Sequence, residues 1–225
     1  MNYPQSQNAL SSYHTKYSRF FRYELIMFNL EEVKIRRMLP SEAETVAEVD
    51  SYAYQNDPIF IAIFQSNTEE KRKKRETNLV RMYTNNPQDT FVALHDGKIV
   101  GLIRSFPCTG VFKDLSYSEG EYEQIIGNKI ENLTQEQRRK WWLMTMKKHD
   151  LRTPHTHVGP FAVLPDYQGK GIGSKLFQNY LCRLKGTSHF ETFTEENANF
   201  YEKRGHKIVT VDEVLGIKGY WVRRD

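Results

Sequence analysis

Residues 168–174 read Q-G-K-G-I-G-S, and these residue types at this spacing suit the holding of an anion. A helix N-terminus carries unpaired N–H groups and the positive end of the helix dipole, and it binds an anion when no side chain blocks the approach. Gly169, Gly171 and Gly173 remove those side chains, Lys170 and Lys175 add charge, and Gln168 and Ser174 add neutral donors. A P-loop is excluded, because Gly173 is followed by Ser174 and only then by Lys175. The dinucleotide fingerprint G-x-G-x-x-G is excluded as well, because its third glycine would fall at Ser174.

The elements that must position this loop are legible on either side of it. Before it, Val158–Leu164 is a β-type apolar run closed by the Pro165–Asp166 turn. After it, Ile172, Leu176, Tyr180 and Leu184 recur every four residues with Phe177 and Leu181 beside them, one face of a helix. Strand, V-x-P turn (Val163, Pro165), Q-x-x-G-x-G loop and amphipathic helix in one run resemble the pyrophosphate loop of the GNAT superfamily of acyl-CoA-dependent N-acyltransferases. A second stretch, F-E-T-F-T-E-E-N-A-N-F-Y-E-K-R-G-H, resembles the next motif of that superfamily, with Asn197 and Tyr201 at its cofactor-facing positions and His206 where a phenylalanine is usual. Within the superfamily the pattern is closest to puromycin N-acetyltransferase-like small-molecule enzymes. The features in support are Asp57–Pro58, Pro107, His155 ahead of Pro165, the E-T-x-x-x-x-N-x-x-F-Y string and the terminal W-V-R-R.

The rest of the chain reads as a frame for these motifs. V-K-I-R-R-M-L from Val33 alternates as a strand, and Ser41 with Glu44 reads as a capping box opening a helix. Residues 53–60 read as a turn around Asp57–Pro58, which the resemblance makes a candidate wall of the acceptor site. Residues 68–84 read as a helix whose basic run, Lys71 to Arg75, is a solvated face rather than a nucleic-acid patch, because no aromatic residues interleave it. T-F-V-A-L-H, Asp96–Gly97 and K-I-V-G-L-I-R-S-F form a hairpin closed by Pro107. An insertion over about 108–153 holds helices at Tyr117–Ile130 and Thr134–Met146, with Trp141 and Trp142 packing it onto the sheet. A short strand, a helix ended by Gly205 and two further strands follow. The expected fold class is α/β, a mixed and mostly antiparallel central sheet with flanking helices, and the resemblance adds a splayed central strand. One domain over 31–225 follows an extension, residues 1–30, without periodicity, and Met27 is an alternative start.

The chain has 225 residues, 39% hydrophobic and 13% aromatic, enough for one core. A net charge of +4 suits an anionic cofactor and does not argue for nucleic acid. Cys108 and Cys182 show neither a disulfide pattern nor metal-ligand spacing. No apolar run is long enough for a membrane span, and no secretory signal is evident. The expectation is a cytoplasmic protein without a metal.

The resemblance implies acetyl transfer from acetyl-CoA to the amine of a small molecule by direct attack on the thioester. It implies that Phe161, Ala162 and Val163 meet the pantetheine arm and carbonyl through their main chain, that Gln168, Gly169, Lys170, Gly171, Ile172, Gly173 and Ser174 hold the pyrophosphate, and that Asn197 bonds the arm, the alternative for Asn197 being a helix N-cap. Tyr201 is the candidate general acid; the alternative is a core tyrosine. His155 is the candidate base, since imidazole titrates near neutrality, with His157 on the same sheet face and a water chain to Glu191 as further candidates. Relatives often pair terminal strands, so a homodimer stays open. A protein or peptide N-acetyltransferase and a non-catalytic acyl-CoA sensor are the competing functions.

Overall fold

Asp96 and Gly97 both take positive φ, 49° and 74°, the turn whose twist matches that of two antiparallel strands. In the computed structural model, which describes residues 28–108 and 118–225, this turn joins two strands of a seven-stranded sheet. The strands are β1 (Lys34–Arg37), β2 (Thr90–His95), β3 (Lys98–Cys108), β4 (His155–Val163), β5 (Ser188–Thr192), β6 (Lys207–Val214) and β7 (Ile217–Arg224), in the order β1-β2-β3-β4-β5-β7-β6. Every neighbouring pair is antiparallel except β4 and β5. Those two run parallel and stay in register at one position, Thr156 opposite Ser188. Beyond that point the sheet opens, as the expected splayed strand requires.

Helices cover both faces: α1 (Ala43–Ala53), α2 (Pro58–Phe64), α3 (Glu69–Asn85), α4 (Glu119–Ile126), α5 (Gln135–His149), α6 (Ile172–Leu181) and α7 (Glu195–Glu202). Adjacent strand residues point to opposite faces. Ala93, Ile103, Val158 and Phe190 therefore pack with Leu176, Phe177 and Tyr201 of α6 and α7, while Val92, Leu102 and Ala162 pack with Val46, Ala47 and Tyr83 of α1 and α3. Ile59 and Ile63 of α2, Trp141 and Trp142 of α5, and Val214 and Leu215 at the β6–β7 turn form a third cluster. The tryptophans thus meet the sheet at that hairpin end.

Several expectations need correction. Ser41 does not cap a helix: residues 40–42 form a 3₁₀ turn and the Glu42 carboxylate accepts the Leu39 N–H at 2.8 Å. The turn at Asp57–Pro58 is the start of α2, with Asp57 Oδ1 accepting from Ile59 N at 3.0 Å. P-I-F-I-A-I-F is apolar on every side, so it carries no helical period. Pro107 does not end β3, because β2 has stopped opposite Arg104 and a proline's missing N–H costs little on a free strand side. The basic run is only partly solvated: Arg72 and Arg75 are buried, on Glu76 and Asp50 respectively. Cys182 lies just past α6 and is exposed. Phe28 and Leu30 already pack into the fold, against His95 and Gly171. Residues 1–27 of the expected 1–30 extension, with Met27, and the Tyr117 helix start lie outside the described residues.

Candidate active site

The opening between β4 and β5 exposes one side of the β4 main chain. Phe161 stands opposite Ile103 on β3, yet its N–H and C=O both bond to the Tyr54 hydroxyl: Phe161 N donates at 3.1 Å and Tyr54 Oη donates to Phe161 O at 2.9 Å. The polar groups of Phe161 therefore face the splay. In an antiparallel ladder such groups alternate sides, so those of Ala162 turn toward Leu102 of β3. Ala162 is thereby removed as a main-chain partner for a ligand. The Val163 carbonyl accepts the Gln168 side-chain amide at 2.9 Å, so Gln168 braces β4 rather than facing the loop interior.

Tyr54 was not singled out by sequence, although the segment holding it was. Its ring meets Phe60 edge-on at 5.4 Å, and the Arg75 guanidinium lies 5.0 Å from its centre. Arg75 is held by Asp50, whose second carboxylate oxygen accepts the Tyr83 hydroxyl. A buried polar network on α1 and α3 thus fixes a ring at the splay.

The glycine loop ends at Gly171, with φ 85° and no side-chain cap on α6. A Cβ at Gly169 would meet nothing within 4 Å, whereas one at Gly171 would lie 2.9 Å from Leu30 Cδ2. Ile172 is 1% exposed, so only its main chain can face a ligand. Lys170 lies above the rings of Phe28 and Tyr167, and the Lys175 ammonium donates to Leu30 O at 3.0 Å. Arg204, unassigned from sequence, donates to Ser174 Oγ at 2.7 Å. An uncapped helix start, an open position at Gly169, cations beside them and splay-facing main-chain groups fit a nucleotide diphosphate with an extended arm. Asn197 is exposed and is not the cap of α7; Thr194 is, accepting the Asn197 N–H.

Tyr201 is 6% exposed and packs against Phe190 at 4.9 Å. Burial, and then the charge of Glu191, push its hydroxyl well above the ordinary tyrosine range. Glu191 follows Phe190 on β5 and so points to the other face, where its carboxylate lies 3.7 Å from His157 Nε2. Burial, reinforced by Asp150, raises Glu191 to about 7. Burial, with His155, His189 and Arg104 adding repulsion, lowers His157 to about 3. At neutral pH this pair is therefore a neutral imidazole beside a carboxyl group poised to titrate.

His155 is elsewhere. It lies six residues before Phe161, roughly 20 Å along an extended strand, at the end where β4 and β5 still pair. Its Nδ1 bonds to Thr153 O at 2.9 Å and its Nε2 faces Asp150 at 3.3 Å. The structure brings Tyr201, Glu191 and His157 to the splay and leaves His155 at its closed end.

The description "Acetyltransferase (GNAT) family" matches residues 56–206. No curated protein sequence matches the chain. Among solved structures, the Drosophila melanogaster polyamine N-acetyltransferase, which catalyses the formation of N-acetylagmatine, is 13% identical over 85% of this chain and 98% of that one, with a TM-score of 0.60. The mosquito arylalkylamine N-acetyltransferase-like 5b is 15% identical over 85% and 99%, TM-score 0.53. The PaiA N-acetyltransferase of Thermoplasma acidophilum, in complex with coenzyme A, is 12% identical over 86% and 98%, TM-score 0.54. At such identities the structural likeness concerns the fold, and the family match spans most of the chain: this protein belongs to the GNAT acetyltransferase family, and it is an acetyltransferase by that membership.

Proposed function

We propose that the protein transfers the acetyl group of acetyl-CoA to a primary amine of a small molecule by direct attack on the thioester. The observation that carries this reading is the Glu191 carboxyl, mostly buried at the splay and held near neutrality. A base of that pKa accepts the proton of an attacking amine most effectively at physiological pH. Acetyl-CoA supplies an activated acyl group; the protein's part is to hold and polarise it and to move protons. The uncapped α6 N-terminus, with Lys170 and Arg204 nearby, would hold the pyrophosphate, and Phe161 N–H would donate to the carbonyl oxygen. Tyr201, kept protonated by its surroundings, would give its proton to the departing thiolate.

Glu191 replaces His155 as the base in this reading, because His155 lies at the closed end of the splay. Asp150, the cap of α5, lies close enough to raise the Glu191 pKa, and a small acceptor is the reading adopted for the site. The same reading carries the kinship to puromycin N-acetyltransferase-like enzymes and a cytoplasmic location. The amine acetyltransferases among the structural neighbours are consistent with it.

The experiment is thiol release from acetyl-CoA over a panel of polyamines, arylalkylamines, amino-group antibiotics and short peptides. The expected result is turnover with a small amine and none with peptides. Turnover confined to peptides would replace this reading with protein acetylation, and acetyl-CoA binding without turnover on any acceptor would favour a sensor.

A further inference from the structure

We infer that Tyr54 sets the acyl-chain length this protein accepts: its ring stands at the place of the acyl carbonyl and closes the space beyond it. The inference rests on the acyltransferase reading above. A thioester carbonyl in the splay needs an N–H donor, and the donor facing the splay at Phe161 is bonded to the Tyr54 hydroxyl at 3.1 Å, with the Phe161 carbonyl receiving that hydroxyl's proton at 2.9 Å. One oxygen atom thus satisfies both main-chain groups, as a bound carbonyl oxygen and its neighbouring arm would do between them. The hydroxyl and an acyl carbonyl cannot both take the Phe161 N–H at full strength, so binding shifts the hydroxyl off this site.

The ring is held beside the splay by its neighbours, so the hydroxyl leaves Phe161 by a tilt of the side chain and the ring does not depart. Phe60 meets its face edge-on at 5.4 Å, and Arg75 lies over both rings, 5.0 Å from the centre of Tyr54 and 4.1 Å from that of Phe60. Arg75 is itself fixed by the Asp50 carboxylate and main-chain carbonyl. Tyr54, Phe60 and Phe64 also line a partly open cavity of about 20 Å³ whose other walls are polar, among them Ser51, Asn67, Arg72 and Arg75. With tyrosine present, an acyl group that takes the Phe161 N–H finds the ring against its methyl end. Without the ring, the volume it fills between Phe161 and Phe60 is freed for the further carbons of a longer acyl chain.

Two properties of the residue are separable. The hydroxyl competes with the carbonyl for Phe161, and the ring limits chain length. Tyr54→Phe removes the first and keeps the second; Tyr54→Ala removes both, and Tyr54→Leu shortens the side chain while keeping it apolar.

The test is calorimetric binding of acetyl-, butyryl- and hexanoyl-CoA to the full chain and to these three variants, each first shown to melt cooperatively. The expected wild type binds acetyl-CoA at least about tenfold more tightly than hexanoyl-CoA, a ratio worth about 1.4 kcal/mol. Tyr54→Phe should keep that ratio while binding acetyl-CoA roughly fivefold more tightly, as the loss of competing hydrogen bonds predicts. Tyr54→Ala should bring the ratio near unity or invert it, with Tyr54→Leu between; if the alanine variant does not fold, the leucine variant carries the comparison. A merely structural tyrosine would weaken all three thioesters together. An unchanged ratio in the alanine or leucine variant overturns the inference. Absence of binding by every thioester to folded wild type overturns the acyltransferase reading itself, a distinct outcome.

Discussion

The His157 imidazole and the Glu191 carboxylate face each other at 3.7 Å across the opening of two parallel strands. Burial drives them in opposite senses, the imidazole down to about 3 and the carboxyl up to about 7, because a low-dielectric site disfavours the charged form of either group. Two groups that would form an ion pair at the surface are therefore both close to neutral here, and one of them titrates at physiological pH.

A basic limb follows from Glu191. In wild type, kcat/KM should rise with pH through about 7, as this carboxyl loses its proton and becomes a base. Glu191→Gln should lower kcat on the order of 10²-fold or more and abolish the limb, while His155→Ala retains it. A pH–rate profile with saturating acetyl-CoA distinguishes these; a limb that survives Glu191→Gln and vanishes in His155→Ala would restore the histidine as base.

If Tyr201 is the general acid proposed above, Tyr201→Phe should leave acetyl-CoA binding nearly intact and reduce kcat by about tenfold to a hundredfold, because a phenol in that role acts on the leaving thiolate rather than on the bound ground state. Its high protonation limit means that no tyrosine limb should appear below pH 10. Unchanged turnover in the variant would reduce Tyr201 to a packing residue of the α7 face.

Stability should fall in acid. Burial lowers His157 to about 3 and both His189 and His206 to about 4, so between pH 6.5 and these values the unfolded chain binds protons that the native state does not. The stabilisation is present above about pH 6.5 and is lost as pH falls, by roughly several kcal/mol in total. Glu191 acts in the opposite sense: its raised value makes the native state hold a proton the unfolded chain has released, so its contribution declines as pH rises from about 4.5 to 7. Urea midpoints should therefore drop from pH 7 to pH 4.5, and more steeply in Glu191→Gln.

Asp50 is 0% exposed and anchors both Arg75 and Tyr83. Asp50→Ala strands the Arg75 guanidinium and should cost about 3–5 kcal/mol in urea unfolding. Double substitution with Arg75→Met should recover part of that loss, since the uncompensated charge goes with the arginine.

Gly171→Ala meets a backbone at φ 85° and Leu30 Cδ2 at 2.9 Å, whereas Gly173→Ala would place its Cβ at an ordinary 3.6 Å from Phe161. The first should cost about 1 kcal/mol or more of stability and raise the KM for acetyl-CoA; the second should be milder in thermal melting. Equal effects would argue against the positive-φ account of the loop.

Much of the site's scaffold is legible along the chain. The Asp96–Gly97 hairpin, the glycine loop and the four-residue period of Ile172, Leu176 and Tyr180 are short-range features, set by turn geometry and by the helical repeat. By contrast α2 escapes such reading because its seven residues are apolar on every side, and Arg72 and Arg75 look solvated until the carboxylates that receive them are known.

By itself, the order of residues determined an α/β chain with a glycine-rich loop between a strand and an amphipathic helix, because each of those signals is carried within one turn or one strand. Only the tertiary structure decided which groups meet at the candidate site. Tyr54 reaches Phe161 across 107 residues, Glu191 meets His157 through strand pairing, and His155 is left where the strands still touch. The physical reason is that a side chain's acidity and a main-chain group's availability depend on what surrounds them in space, and burial among distant segments sets both.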